Sequence, residues 1–275
     1  MKFDMSAAWN EAVRLMSGNR DVLLVVAGVF FFLPNVIFML VFSSQLSAIE
    51  AAQASNPDPK AVWQAMMGFY GEIWWMILLM AVVQGIGMLG LLALLSDRSR
   101  PTVGEALKTG TKLLLPYIGA QLLTSLAFGL LALIPFAVGA GISPVAGILV
   151  GLIALVAIIY VFIKFMLSSP VIAIEKVANP IEALARSWRL TKGNSLRLFA
   201  FVVLLMIALL IVGGVVSAIA GLVMALLGPE IAMVGNAIVS GVVNATFYVI
   251  FLAVLAAIHR QLAGPSPEAV SETFS

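Results

Sequence analysis

Ser168–Arg197, SSPVIAIEKVANPIEALARSWRLTKGNSLR, is the stretch whose reading decides the fold. It lies between two long apolar runs, and its charges and its Pro and Gly punctuation keep it out of lipid, so it marks a membrane rim. On a helical wheel its Pro180 to Lys192 part puts Ile181, Leu184, Ala185 and Trp188 on one face and Glu182, Arg186 and Arg189 on another. That pattern predicts a helix lying flat in an interface.

Working outward, the composition agrees. The chain of 275 residues is 62% hydrophobic and 10% charged, with a mean hydropathy of +1.12. Soluble domains average roughly half apolar and a quarter charged. The expected protein is an all-α integral membrane protein. With 0 Cys and 1 His, disulfides, thiolate nucleophiles and Cys or His metal clusters are excluded. No cofactor is expected, and the formal charge of +2 is too small to argue for nucleic acid.

Six apolar runs follow in order: Val22 to Phe42, Ile73 to Leu95, Leu113 to Val138, Val145 to Leu167, Leu198 to Leu227 and Ile231 to Ile258. A signal peptide is the rival reading of the first, with A-x-A at Ala52 to Ala54. The run is longer than an h-region of about 7–15 residues, so it reads as a retained span, kinked at Pro34. Ser43 to Lys60 reads as a polar loop, with Asp58-Pro59 starting the next helix. That helix enters the bilayer at the interfacial pair Trp74 and Trp75. The uncharged turn Gly139 to Pro144 predicts a tight hairpin, with Gly147 and Gly151 at a spacing that permits close helix approach. Gly213, Ser217 and Gly221 form a small-residue packing stripe on the fifth span.

Two further segments resemble the helical part of the opening stretch. Met5 to Ser17, N-capped by Ser6, places Met5, Ala8, Trp9, Ala12 and Met16 on one face, and Asp97 to Lys112 carries Val103, Ala106 and Leu107 against Glu105, Lys108 and Lys112. The triplets Glu11-Ala12-Val13, Glu105-Ala106-Leu107 and Glu182-Ala183-Leu184 each precede a span of the same direction, and each Glu is followed three or four residues later by Arg14, Lys108 or Arg186. The expected fold is a six-transmembrane-helix bundle with three cytoplasmic amphipathic interfacial helices. A threefold parallel repeat is expected within one membrane domain, 1–262, with units 1–96, 97–175 and 176–262. Residues 263–275 are expected to be a disordered tail. Alternate connectors receive 14 of the 15 Lys and Arg and the others only Lys60. The positive-inside rule then places both termini in the cytoplasm, and the membrane is expected to be a bacterial inner membrane.

The island resembles the membrane domain of glycerophosphoryl diester phosphodiesterases and the related YciC-like bacterial inner-membrane proteins. The resemblance is carried by Pro170, Glu175, Ala183-Leu184, Ser187, Arg189-Leu190 and Gly193-Asn194 ahead of a new span. In fused members a separate catalytic barrel does the phosphodiester chemistry. This chain has neither a soluble segment for such a barrel nor its His pair and acidic metal cluster, so the resemblance implies topology and no activity.

Two sets of candidate residues emerge. Asn236, Ser240, Asn244 and Tyr248 recur every four residues, a polar stripe that has to face the bundle centre, with Asn35, Gln84 and Gln121 as partners. They read as structural glue or as the lining of a polar cavity. The second set is a basic collar for lipid headgroups: Arg14, Arg20, Lys108, Lys112, Lys164, Arg186, Arg189, Lys192 and Arg197, with Trp9 and Trp188 as anchors. Lys164 is expected to snorkel, Glu175 to pair locally or with Arg186 and Arg189, and His259 to face headgroups.

The expected function is non-enzymatic, in membrane organisation or lipid homeostasis. A transporter or lipid-translocating pore with a polar centre is the alternative. The expected partners are membrane lipids, anionic ones first, with a protein partner or a second copy of the chain as further candidates.

Overall fold

The computed structural model describes residues 2–55, 59–96 and 102–264. Asp58, Arg98, Arg100 and nearly all of the expected tail lie outside the described residues, which are helical without a strand. Six helical segments are long and apolar enough to cross a membrane: Arg20–Val41, Lys60–Leu95, Val103–Gly141, Pro144–Ile174, Ser195–Ala225 and Pro229–Ala263. The chain is a multi-pass membrane protein.

Helix α1 is Met5–Gly18. Its N-cap is Asp4, whose Oδ1 accepts from the Ala7 N–H at 2.9 Å, and not the expected Ser6. A carboxylate two residues earlier satisfies the free amides and favours the positive end of the helix dipole. Asn19 ends the helix, donating from Nδ2 to the Leu15 carbonyl at 2.8 Å.

The first span is α2, Arg20–Ala27, a π-turn over Gly28–Phe32, and α3, Leu33–Val41. A Pro ring collides with the carbonyl four residues back, here that of Phe30. The wider turn, in which the Leu33 N–H reaches the Gly28 carbonyl, absorbs this collision just before Pro34.

Two expectations fail next. Ser43 to Lys60 is no plain loop, because Ser43–Ser55 forms α4. Its Ala, Gln, Glu and Leu residues are good helix formers, and the Asn and Pro residues that predicted a loop come only afterwards. After α5, Pro59–Ser96, the expected second surface helix is not a separate element: α6 runs unbroken through Val103–Gly141. Thr102 and Glu105 form a capping box at its start, and no breaker separates Lys112 from Leu113. Its 39 residues extend about 58 Å at 1.5 Å each, against a hydrocarbon core of about 30 Å.

Helix α7, Pro144–Phe165, starts at the N-cap Ser143 and packs back on α6. A Cβ added at Gly147 would lie 2.6 Å from the Gly139 Cα, so the backbones touch there. The short α8, Ser168–Ile174, is buried from Ser168 to Ala173, although the sequence placed it in a solvated island. Helix α9, Pro180–Thr191, is capped by the Asn179 side chain. Its buried face is Ala183, Leu184, Ser187 and Thr191, while Ile181, Ala185 and Trp188 are exposed. Three of the four residues on the predicted apolar face thus turn away from the protein, and Ala183, Ser187 and Thr191 pack inward with Leu184. Helices α10, Ser195–Ala225, and α11, Pro229–Ala263, complete the chain. Gly193 and Gly228, at φ 82 and 93, make the turns before them.

The chain forms two compact units. One comprises Met1–Asn19, Met88–Met206 and Phe251–Ser275, the other Arg20–Gly87 and Ile207–Ile250. The first has a core of Leu91, Leu92, Leu167, Ile172, Leu198, Leu252 and Ile258. In the second, rings fill the space left by glycines: Phe30 lies against Gly87, Phe247 against Gly213 and Phe32 against Gly241.

Replacing Gly147 by Val will force the α6–α7 hairpin apart and cost about 1–3 kcal/mol, read as a lower thermal midpoint in detergent. Gly129→Ala, whose Cβ meets nothing within 4 Å, will leave the midpoint unchanged or raise it.

Candidate functional site

The polar side chains of the first unit converge where the turn between α8 and α9 meets the ends of α1 and α11. Lys176 takes a left-handed conformation (φ 55), which turns the chain immediately after Glu175. The Glu175 carboxylate accepts from Arg186 Nε at 3.0 and 3.2 Å and lies 2.9 Å from His259 Nε2. His259 is 3% exposed and, among the described residues, its Nδ1 has no hydrogen-bond partner. It is therefore a buried tie and not the expected headgroup-facing anchor. Burial pushes the Glu175 carboxyl up, but the hydrogen bonds and charges of His259 and Arg186 outweigh this and hold it below the ordinary carboxylate range.

Around this triad the chain ends are tied together. Arg260 and Arg14 both pair with Glu11. Asn194 Oδ1 accepts from the Phe3 N–H at 2.8 Å, the Phe3 carbonyl accepts from Arg197, and Gln261 bonds Asp4. On α9, the Ser187 hydroxyl donates to the Lys164 carbonyl at 2.7 Å and accepts from the Leu167 N–H at 3.2 Å. With both roles filled it serves as a structural post between α9 and the end of α7.

The collar residues divide. Arg14, Arg20, Lys108, Lys112, Arg189, Lys192, Arg197 and Trp9 are exposed. Arg186 is engaged by Glu175 and is only half-exposed. Lys164 is 2% exposed. Its ammonium sits 5.3 Å from the Tyr160 ring centroid and 5.4 Å from that of Trp188.

The polar stripe belongs to the second unit, where Ser240 donates to Asn35 and the Tyr248 hydroxyl to Gln84, both at 3.4 Å. Tyr248 also stacks on buried Phe31 at 4.5 Å. Asn244 Oδ1 is buried without a partner among the described residues. Two members fall outside the stripe: Asn236 is exposed near the start of α11, and Gln121 is exposed on α6. Four-residue spacing drifts around a 3.6-residue helix, so the stripe cannot keep facing one neighbour along its length, and nothing in the composition of α6 marks the face that carries Gln121. Among the described residues no group of three His, Cys, Asp or Glu could hold a metal ion. The ties missed by sequence reading, Ser187 to Lys164 and Asn194 to Phe3, carry no spacing signal because their partners come from distant elements.

The chain belongs to the family described as a domain of unknown function (DUF7847), which covers residues 7–262. No curated protein and no solved structure matches it.

The Glu175 ties make stability depend on pH. A carboxyl held below its unfolded value stabilises the fold above that value, and the contribution is lost as pH falls below about 4.3 through the folded value. Glu175→Gln will lower stability at neutral pH by about 1–3 kcal/mol and flatten the loss between about pH 4.3 and the acid limit. Detergent unfolding followed by circular dichroism across that range checks both effects.

Proposed function

We propose that the protein is a non-enzymatic component of a bacterial inner membrane that acts in membrane organisation or lipid homeostasis. In this reading both termini are cytoplasmic, and a basic collar on that face holds anionic lipid. The observation that carries it is the state of the bases. Lys108, Lys112, Arg189 and Lys192 are exposed and make no ion pair among the described residues, whereas Glu11 and Glu175 are already occupied by Arg14, Arg260, Arg186 and His259. Cations left over at the end of membrane-spanning helices attract anionic headgroups by about 1 kcal/mol each. The distribution of Lys and Arg along the sequence supports the same orientation.

Helices α1 and α9 suit an interfacial role, since each buries small residues inward and leaves an aromatic, Trp9 or Trp188, at its surface. The non-enzymatic reading is supported by the occupation of Ser187 and Glu175 in structural bonds. A second reading, transport through a polar centre, has one observation in its favour, the unpartnered oxygen of Asn244. Against it, Asn35, Ser240, Gln84 and Tyr248 spend their hydrogen bonds on one another.

Native mass spectrometry of the protein from mixed micelles will retain phosphatidylglycerol over phosphatidylcholine. The triple variant Lys108→Gln, Lys112→Gln, Arg189→Gln will reduce that preference by about fivefold or more per base. Equal retention of the two lipids by the parent chain would overturn the collar.

A further inference from the structure

We propose that the groove between α4 and α5 is a binding site for a primary ammonium group, carried by a lipid headgroup or by a soluble amine, with Glu72 as its counter-ion. The site is independent of the basic collar, because it takes the opposite charge and shares no residue with it.

A plain loop over Ser43 to Lys60 would have left no groove. Because Ser43–Ser55 is a helix, it lies beside the start of α5, and the residues that meet there are small: Ala48 from α4, Ala65 and Gly68 from α5. The two helices therefore leave a cavity of about 300 Å³ between them, at the lower end of the roughly 300–1,000 Å³ that ligand sites span. A Cβ added at Gly68 would meet nothing within 4 Å. One wall is rigid: Phe69 is 8% exposed, and Phe42, at the C-cap of α3, stands edge-on to it at 5.7 Å.

Three side chains bring oxygen to this cavity, the Glu72 carboxylate and the amides of Gln45 and Gln64. All three are exposed. Glu72 makes no ion pair among the described residues, and Lys60 on the same helix lies about 18 Å from it along the axis at 1.5 Å per residue. Over residues 43–72 the sequence holds Glu50, Asp58 and Glu72 against Lys60 alone, so the local field draws cations. A primary ammonium carries three N–H donors and no acceptor. The carboxylate and the two amide oxygens accept from it, and the bond to the carboxylate is the charge-assisted one. A quaternary ammonium has the charge without the donors, so the groove distinguishes the two.

The level also suits a headgroup. Glu72 comes two residues before Trp74 and Trp75, both exposed, and such rings anchor where lipid headgroups lie.

Phosphatidylethanolamine and phosphatidylcholine differ in the methyl groups on the ammonium, so the pair isolates the donors. Native mass spectrometry of the full-length protein, from micelles holding the two in equal amounts, will retain phosphatidylethanolamine about fivefold over phosphatidylcholine. Two substitutions will each bring that ratio to about one. Glu72→Gln removes the charge at an exposed position, and Gly68→Leu keeps the charge, fills the open space and adds a better helix former. Free ethanolamine added to phosphatidylcholine micelles is the third arm. A preference for the ethanolamine lipid assigns the headgroup; an ethanolamine adduct that Glu72→Gln abolishes, without a lipid preference, assigns a free amine.

Equal retention of the two lipids with no ethanolamine adduct overturns the site, and so does a preference that survives both substitutions. Retention of phosphatidylglycerol without any ammonium binding leaves the collar and removes the groove. Ammonium binding without that retention removes the collar alone.

Discussion

A carboxylate at the margin of a hydrophobic core must find a cation or hydrogen-bond donors or give up its charge, and Glu175 finds a guanidinium and an imidazole. Arg186 reaches it from α9 and His259 from α11, so one side chain fixes the relation of two helices that the chain joins only through the whole of α10. The rest of the first unit follows from that fixation. With α9 held, Ser187 can bridge the end of α7; with α11 held, Arg260 and Gln261 can receive α1. The pairs are partly buried, so they gain more from geometry than exposed ion pairs do.

The second unit solves the same problem without charge. Its polar side chains bond in pairs across helices, and its glycines admit rings that a methyl group would exclude. Helices in lipid gain little from hydrophobic burial against one another, so close packing and internally satisfied amides do the holding. The π-turn before Pro34 belongs to this logic. It is a local widening that lets a Pro helix continue through the membrane and still present Asn35 to Ser240.

Hydropathy made the six spans legible, because about twenty apolar residues without charge have few other uses. Pairing of Asn35 and Gln84 with the stripe on α11 was legible too, since polar groups in hydrocarbon have few places to go. The face of α9 that packs on the protein was not, because it is not the apolar face of the wheel: Ala183 and Ser187 go inward while Ile181 and Trp188 face out. The contact of Lys164 with Trp188 was not legible either, because that ring comes from α9, out of reach of any local pattern. The residues that carry the family resemblance turn out to have architectural jobs. Pro170 is buried, Ser187 bridges two backbone groups, Gly193 takes a positive φ and Asn194 clasps Phe3.

The clasp between the first residues and the last helix bears on how the protein is made. Glu11 and Arg260 are 249 positions apart, and Asp4 and Gln261 are 257 apart. The first unit therefore cannot close while the chain is still leaving the ribosome. Until α11 has been inserted, Glu11 lacks Arg260, Glu175 lacks His259, and the start of α1 is held at Phe3 by Asn194 and Arg197 without Gln261 at Asp4. The order of synthesis thus makes completion of the last helix the event that completes the pairing of Glu11 and Glu175.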